Sequence, residues 1–279
     1  MDNCKLCNKE AELIKSHIYP KFIGKWMKTT GGDRFRFGSN MNKPEQDFPK
    51  QRMLCTTCEN QFSKWEKKFS ETIFKPLMNN DIHNFEYENW LFRFLVSVLW
   101  RTLNAHLLKP LENNQNYRKQ LDDTEYDWRL FLNGDKTETQ FDNIQVFLVS
   151  EVKDDNLDDI SGLDYYLLRA VDSDICSNEK MCLVYLKLAR FIIVCPIVGN
   201  IHVGINVING RGILKETTTR TDKEFGGYLF DRIKEYDQLK VSDSQQVKIE
   251  DRFRKNIDKI KGSDLDRIMR LDFERQNGK

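Results

Sequence analysis

Two Cys-x-x-Cys pairs constrain this chain more than any other feature. Cys4 and Cys7 form the first, Cys55 and Cys58 form the second, and a single histidine, His17, lies between them. A two-residue gap lets both thiolates of a turn reach one ion, and two such pairs complete a tetrahedral shell. The spacing therefore predicts a Cys4 zinc site. A shell filled by protein sulfur leaves no open position, so this zinc is expected to be structural and not catalytic. Cys176, Cys182 and Cys195 have no ligand spacing and are expected as reduced core thiols.

The chain has 279 residues, of which 39% are hydrophobic and 31% charged, enough apolar material for a core under a polar surface. No apolar run approaches the roughly 18 residues of a membrane span, and the N-terminus lacks the apolar stretch of a signal peptide. The expectation is a cytoplasmic protein with no membrane partner. A net charge of +1 hides an asymmetry: residues 1–80 carry 15 Lys+Arg against 9 Asp+Glu, and residues 81–279 carry 29 against 34. The densest basic part is the segment 21–52, with eight basic residues (Lys21, Lys25, Lys28, Arg34, Arg36, Lys43, Lys50, Arg52) and three acids. Such a field suits a phosphate-rich partner, nucleic acid, with DNA ahead of RNA. The commoner fate of a charge run is a solvated surface, and four thiolates on Zn²⁺ offset about −2 locally.

Periodicity sets the coarse order of elements. Ala11 to Ile18 reads as a short strand, Lys21 to Met27 as one or two helical turns, and Thr29 to Lys50 as a long loop with a short strand around Phe35 and Phe37. Thr57 to Met78 reads as a helix, with Phe62, Trp65, Phe69 and Ile73 on one side and Glu59 and Glu66 sharing another. The polar break Asn79 to Asn84 is read as a domain boundary. Glu86 to Leu108 follows as a strong helix stopped by Lys109-Pro110, and a short aromatic helix covers Tyr126 to Leu132. From 141 the period becomes that of strands: Ile144 to Val149, Tyr165 to Val171, Met181 to Leu188, Phe191 to Val198 and Ile201 to Ile208. The breaks Asp154 to Asp159 and Ser173 to Lys180 separate some of them. The charged tail from Asp222 reads as helices, with Phe225, Tyr228, Leu229 and Ile233 on one apolar face.

The order Cys-x-x-Cys, then Ser16-His17-Ile18-Tyr19-Pro20, then Leu54-Cys55-x-x-Cys58-Glu59 resembles the zinc-stapled branch of the HNH (ββα-metal) endonucleases. The resemblance covers about the first 75 residues. It implies that the four cysteines hold a ββα unit together and that His17 is the general base acting on water. It implies one divalent metal, Mg²⁺ or Mn²⁺, at the residues flanking these motifs. Glu59 occupies the slot of the last metal ligand, and a carboxylate there is a hard oxygen donor. Ser16 occupies the slot of the acidic ligand, a departure from the family that would leave the metal to Glu59, waters, substrate or another carboxylate such as Glu66 or Asp47. The same pattern resembles bacterial HNH-like proteins, some of which belong to phage-defence systems.

The expected fold is α+β. A zinc-binding module (1–80) is followed by a second domain (81–279) that is helical over 81–140, an antiparallel sheet over 141–210, and helical again over 211–279. The expected function is metal-dependent hydrolysis of nucleic-acid phosphodiesters. The alternative is a non-catalytic zinc module that binds nucleic acid or a protein partner. Residues 81–279 carry no family motif and offer a surface for a protein partner. No phosphate-binding glycine loop or dinucleotide fingerprint occurs in the sequence. His83, His106 and His202 lack partners at ligand spacing and are expected to be structural or solvated.

Overall fold

The computed structural model describes residues 2–31, 35–37, 40–108, 115–149, 160–216 and 222–277, with backbone alone at 35–37 and 40–41. The Lys109-Pro110 stop, Arg34, the side chain of Arg36 and the 154–159 break lie outside what is described. The chain opens with β1 (Asp2–Asn3) and β2 (Glu10–Ala11), an antiparallel pair around the first cysteine turn. β3 (Leu13–His17) leads to Pro20, which stands at the N-cap of α1 (Lys21–Thr29), where a missing N–H costs no helical bond. The segment expected as a loop contains β4 (Phe35–Phe37) and β5 (Asn40–Glu45), a small ribbon. β6 (Lys50–Cys55) then returns antiparallel to β3. β3 lies within the strand expected over Ala11 to Ile18, whereas β6 was not expected.

Cys55 is the N-cap of α2 (Thr56–Phe69), so β3, β6 and α2 form a ββα unit. A π turn (Ser70–Phe74) joins α2 to α3 (Lys75–Asn80). The single helix expected over 57–78 is therefore a rod in three parts. The extra residue of the π turn puts Phe69 and Phe74 on one side. Both rings meet Phe22, at centroid distances of 6.1 and 5.1 Å, and Phe191, at 5.2 and 6.2 Å.

The helix expected from residue 86 begins three residues later. A strand, β7 (Asn84–Tyr87), comes first, with Phe85 and Tyr87 turned inward. α4 (Asn89–Leu107) is buried from Trp90 to Asn104 except at Arg93, as an apolar helix at the centre of a fold must be. After a 3₁₀ turn (Gln115–Tyr117), α5 (Arg118–Asn133) is longer than the aromatic run predicts. Leu121, Thr124, Trp128 and Phe131 keep its inner face, and the polar residues between them hide the period.

The main sheet departs from the expected strand list at two places. Tyr165 to Val171, expected as a strand, lies mostly in a helix. After β8 (Gln145–Leu148) comes α6 (Leu163–Arg169), and the break expected from Ser173 is largely β9 (Val171–Ser177). Distant groups cap α6 at both ends: Asp272 accepts the N–H groups of Asp164 and Tyr165 at 2.9 and 3.1 Å, and the Lys187 ammonium donates to the Leu167 carbonyl at 2.7 Å. β10 (Cys182–Leu188) and β11 (Phe191–Val198) match expectation, while the last run shrinks to β12 (Ile205–Asn206). The five strands are antiparallel in the order β12-β8-β11-β10-β9. β13 (Gly212–Lys215) pairs with β7, so the tail expected to be wholly helical from 211 starts with a strand. Helices α7 (Lys223–Asp237), α8 (Asp243–Lys255), α9 (Ile257–Ile260) and α10 (Asp264–Asn277) complete the chain.

Every residue of β10 is buried, because both faces of the sheet are covered. Val184, Leu186 and Leu188 join a cluster that includes Phe94 and Phe69 and reaches Cys4. Leu183 and Tyr185 join a second cluster with Tyr166 of α6, Phe225 and Ile233 of α7 and Ile268 of α10. The first cluster runs across the polar break at 79–84. Phe69 stacks on Phe94 at 4.2 Å inside it. Phe69→Ala is therefore expected to cost about 3–5 kcal/mol of folding free energy, read by urea unfolding. A loss below about 1 kcal/mol would mean that the two helices are not packed this way.

Candidate metal centre and histidine site

The two cysteine pairs meet where three segments converge. Cys4 and Cys7 sit in the turn between β1 and β2, Cys55 ends β6, and Cys58 lies in the first turn of α2. Asn8 takes a left-handed φ of 57°, and its N–H returns to the Cys4 carbonyl at 2.8 Å, closing the turn. The four sulfur atoms all lie within 4.8 Å of one another. The Cys7 and Cys55 sulfurs are 3.9 Å apart, close to the edge of about 3.8 Å that four 2.3 Å zinc–sulfur bonds imply.

Backbone donors also point at this site. Burial pushes the Cys4 thiol up, but N–H groups of Cys7, Cys55 and Leu6 outweigh it and bring it from 9.0 to about 7. The Cys55 N–H is 3.3 Å from the Cys4 sulfur. Cys58 moves the other way, raised by burial and by its cysteine neighbours, as crowded thiols without a cation must be. The four cysteines can hold a metal ion such as zinc. They are, among the described residues, the one set of three or more His, Cys, Asp or Glu donors gathered closely enough to do so. Cys176, Cys182 and Cys195 are buried outside this set.

The β3–β6 register decides which way the next residues face. Lys15 lies opposite Arg52, Ser16 opposite Gln51 and His17 opposite Lys50, after an irregularity between Ile14 and Lys15. Opposed residues of an antiparallel pair share a face, and neighbours along a strand alternate. Ser16 is 0% exposed and Gln51 half-buried on the inner face, whereas Lys15, Lys50 and Arg52 are exposed. His17 shares their outer face, with 13% of its side chain accessible.

His17 is not alone there. Its Nε2 lies 2.9 Å from Asp47 Oδ1. Asp47 also pairs with the Lys50 ammonium at 2.6 Å and accepts the Phe48 N–H at 3.0 Å. Burial works against the Asp47 charge, but the bonds from Lys50 and His17 prevail and lower its carboxyl from 3.8 to about 2. An ionised Asp47 can only accept, so the proton of the neutral imidazole belongs on Nε2 and the Nδ1 lone pair is left over. From behind, Arg101 of α4 donates its Nη1 to the His17 carbonyl at 2.9 Å. The Arg101 Nη2 is 2.6 Å from Glu66, an ion-pair distance without hydrogen-bond alignment.

These contacts revise the sequence expectations for the carboxylates. Glu66 faces the buried Arg101 and Asp47 holds His17, so both are engaged. Glu59 stays on α2 beside Cys58, with a buried Oε2 that has no partner among the described residues. The Ser16 Oγ is likewise buried and without a partner. Asp47 as the partner of His17 and Arg101 as its backbone clamp were not foreseen. The sequence sign of Arg101 is a cation within a mainly apolar helix, a sign that Arg93 of the same helix shares.

Comparison with protein-family models, with curated proteins and with solved structures finds no match.

Two outcomes follow. Titration with Co²⁺ should give thiolate–metal charge-transfer absorbance at about one ion per chain, and Cys58→Ser should weaken both the binding and the band; an unchanged band and affinity in that variant would reject the four-sulfur site. Because the Asp47 pKa is lowered on folding, its stabilisation is present above about pH 4 and is lost as pH falls towards 2. The unfolding midpoint of Asp47→Asn should thus lie below that of the native chain at pH 6, and the gap should close between pH 4 and 2. A gap that widens over that interval would contradict the assigned direction.

Proposed function

We propose that this chain is a metal-dependent endonuclease of the HNH type, hydrolysing phosphodiester bonds of nucleic acid, with zinc in the cysteine site as a structural staple. The observation that carries this reading is His17 itself. It lies on the outer face of a strand pinned to the cysteine cluster, and its imidazole is oriented by an ionised carboxylate. A neutral histidine with a free nitrogen lone pair is a competent base for water near pH 7. Asp47 holds the ring and favours the imidazolium that forms when the proton arrives. Arg101 fixes the strand end through the His17 carbonyl, and Lys50 offers a positive charge beside the site.

Ser16 and Glu59 each keep a buried oxygen without a hydrogen-bond partner among the described residues, but Ser16 lies fully buried on the face of its strand opposite to His17, so Glu59 is the better donor for a hard cation beside the histidine. Glu59, with waters and substrate, would hold Mg²⁺ or Mn²⁺, which when bound neutralises charge on the phosphate and its leaving oxygen. A phage-defence setting is supported by the resemblance alone.

A second reading is favoured by the burial of Ser16 and by the engagement of Glu66 and Asp47 elsewhere. In that reading the chain is a non-catalytic zinc module that binds nucleic acid or a protein.

Plasmid DNA and structured RNA incubated in Mg²⁺ and then Mn²⁺ separate the two. The native chain should cut, and His17→Ala should cut at least about 100-fold more slowly with unchanged zinc content. Equal cutting by both would remove His17 from the chemistry. No cutting by either would leave the binding module.

A further inference from the structure

We propose that the outer face of the β3–β6 ribbon, continued by Lys21, Lys25 and Lys28 of α1, is a docking surface for the phosphate backbone of nucleic acid. This rests on the nucleic-acid reading above and assigns the surface that makes the contact.

The argument begins with the register. Lys15 and Arg52 are directly opposed, and His17 and Lys50 form the next opposed pair on the same side. Like charges placed opposite each other in a ladder repel and weaken the pair. Lys50 is compensated by Asp47 at 2.6 Å. Lys15 and Arg52 have no carboxylate partner among the described residues; Arg52 donates instead to the Leu13 carbonyl at 3.2 Å, which holds its guanidinium along the ribbon. The fold thus keeps two uncompensated cations beside the histidine, at a cost to the ribbon that an anionic partner would relieve.

The same charge continues on α1. Lys21, Lys25 and Lys28 recur at helical spacing and so share a face. Lys21 and Lys25 are exposed, again without an acidic partner among the described residues. The Lys28 ammonium reaches the Gln46 carbonyl at 2.8 Å, one residue from Asp47. That contact, with Gly24 of α1 packed under the Phe48 ring, brings the helix against the turn that holds His17. The ribbon cations thus share the face of His17, and the lysine face of the helix reaches the turn beside it through Lys28. Phosphate is the fitting anion because it recurs along a strand at regular intervals, as these cations do, and because arginine and lysine both neutralise it well.

The test uses the full chain carrying His17→Ala, so that binding is read without cutting. Fluorescence anisotropy with a labelled DNA duplex and an RNA hairpin is followed over a salt series. Adding Lys15→Gln and Arg52→Gln should weaken binding at least tenfold at low salt. The slope of log K against log salt should fall by about 1.8, or about 0.9 for each cation removed from B-DNA. Lys240→Gln with Lys259→Gln, on exposed positions of the C-terminal helical region, should change neither. Equal loss from that control pair, an unchanged slope in the ribbon variant, absence of binding to both nucleic acids, or equal affinity for poly-glutamate would each overturn the assignment. The outcome is separable from the catalytic reading. Cutting by the native chain with an unchanged slope in the ribbon variant sinks this surface alone. The expected slope loss in a chain that never cuts sinks the nuclease alone.

Discussion

Everything in the N-terminal region depends on four sulfur atoms being drawn together. Cys7 and Cys55 are 48 positions apart, yet their sulfurs are 3.9 Å from each other. The junction fixes the start of α2, the end of β6 and the turn before β3. A two-stranded ribbon is marginal by itself, and here the cysteine cluster at one end and a packed helix behind it supply what further strands would supply elsewhere. The position of His17 follows from this. Its strand is held at the cysteine end by the cluster and at the other end by Arg101.

Two buried arginines and one half-buried arginine make further attachments. Arg101 joins α4 to the histidine strand. Arg169, at the end of α6, donates to the Met27 carbonyl at 2.6 Å, to Thr30 at 2.9 Å and to Asp264 at 2.9 Å. It also lies over the Trp26 ring at 4.8 Å. Arg232 of α7 clasps Asp172 of β9 with two contacts of 2.7 Å. A guanidinium suits such posts because it satisfies several acceptors at fixed angles and stacks on rings. A smaller contact of the same kind lies nearer the site. Ser173 of β9 hydrogen-bonds Tyr19, at 2.7 Å, and His106 of α4, at 3.0 Å, linking the turn after His17 to the sheet.

What could be read in the sequence was what is written locally. The cysteines were legible because ligand spacing is a short-range property, and α4, β10 and β11 because their apolar runs are long and uniform. The α+β order was legible for the same reason. α6 was not, because a seven-residue helix is decided by its ends, and the groups that cap it come from α10 and β10. The π turn was hidden because its cause is the pair of partners, Phe22 and Phe191, that both Phe69 and Phe74 must reach. Around His17, the strand that carries it was legible and the side chains that hold it were not. Asp47 becomes a partner only when the turn at 46–49 folds back, and Glu66, correctly placed on a face of α2, is claimed by an arginine from another helix.

The capping of α6 has a consequence in time. Asp164 takes its cap from a residue 108 positions further on. A growing chain adds about 5–20 residues per second, so roughly ten seconds separate the appearance of this segment from that of its cap. Until then its unpaired N–H groups and its apolar side chains have no fixed place, and the aromatic run Tyr165 to Val171 is free to sample the extended form that its composition favours. The final helix is thus a timekeeper: the outer layer over the sheet cannot set until it arrives.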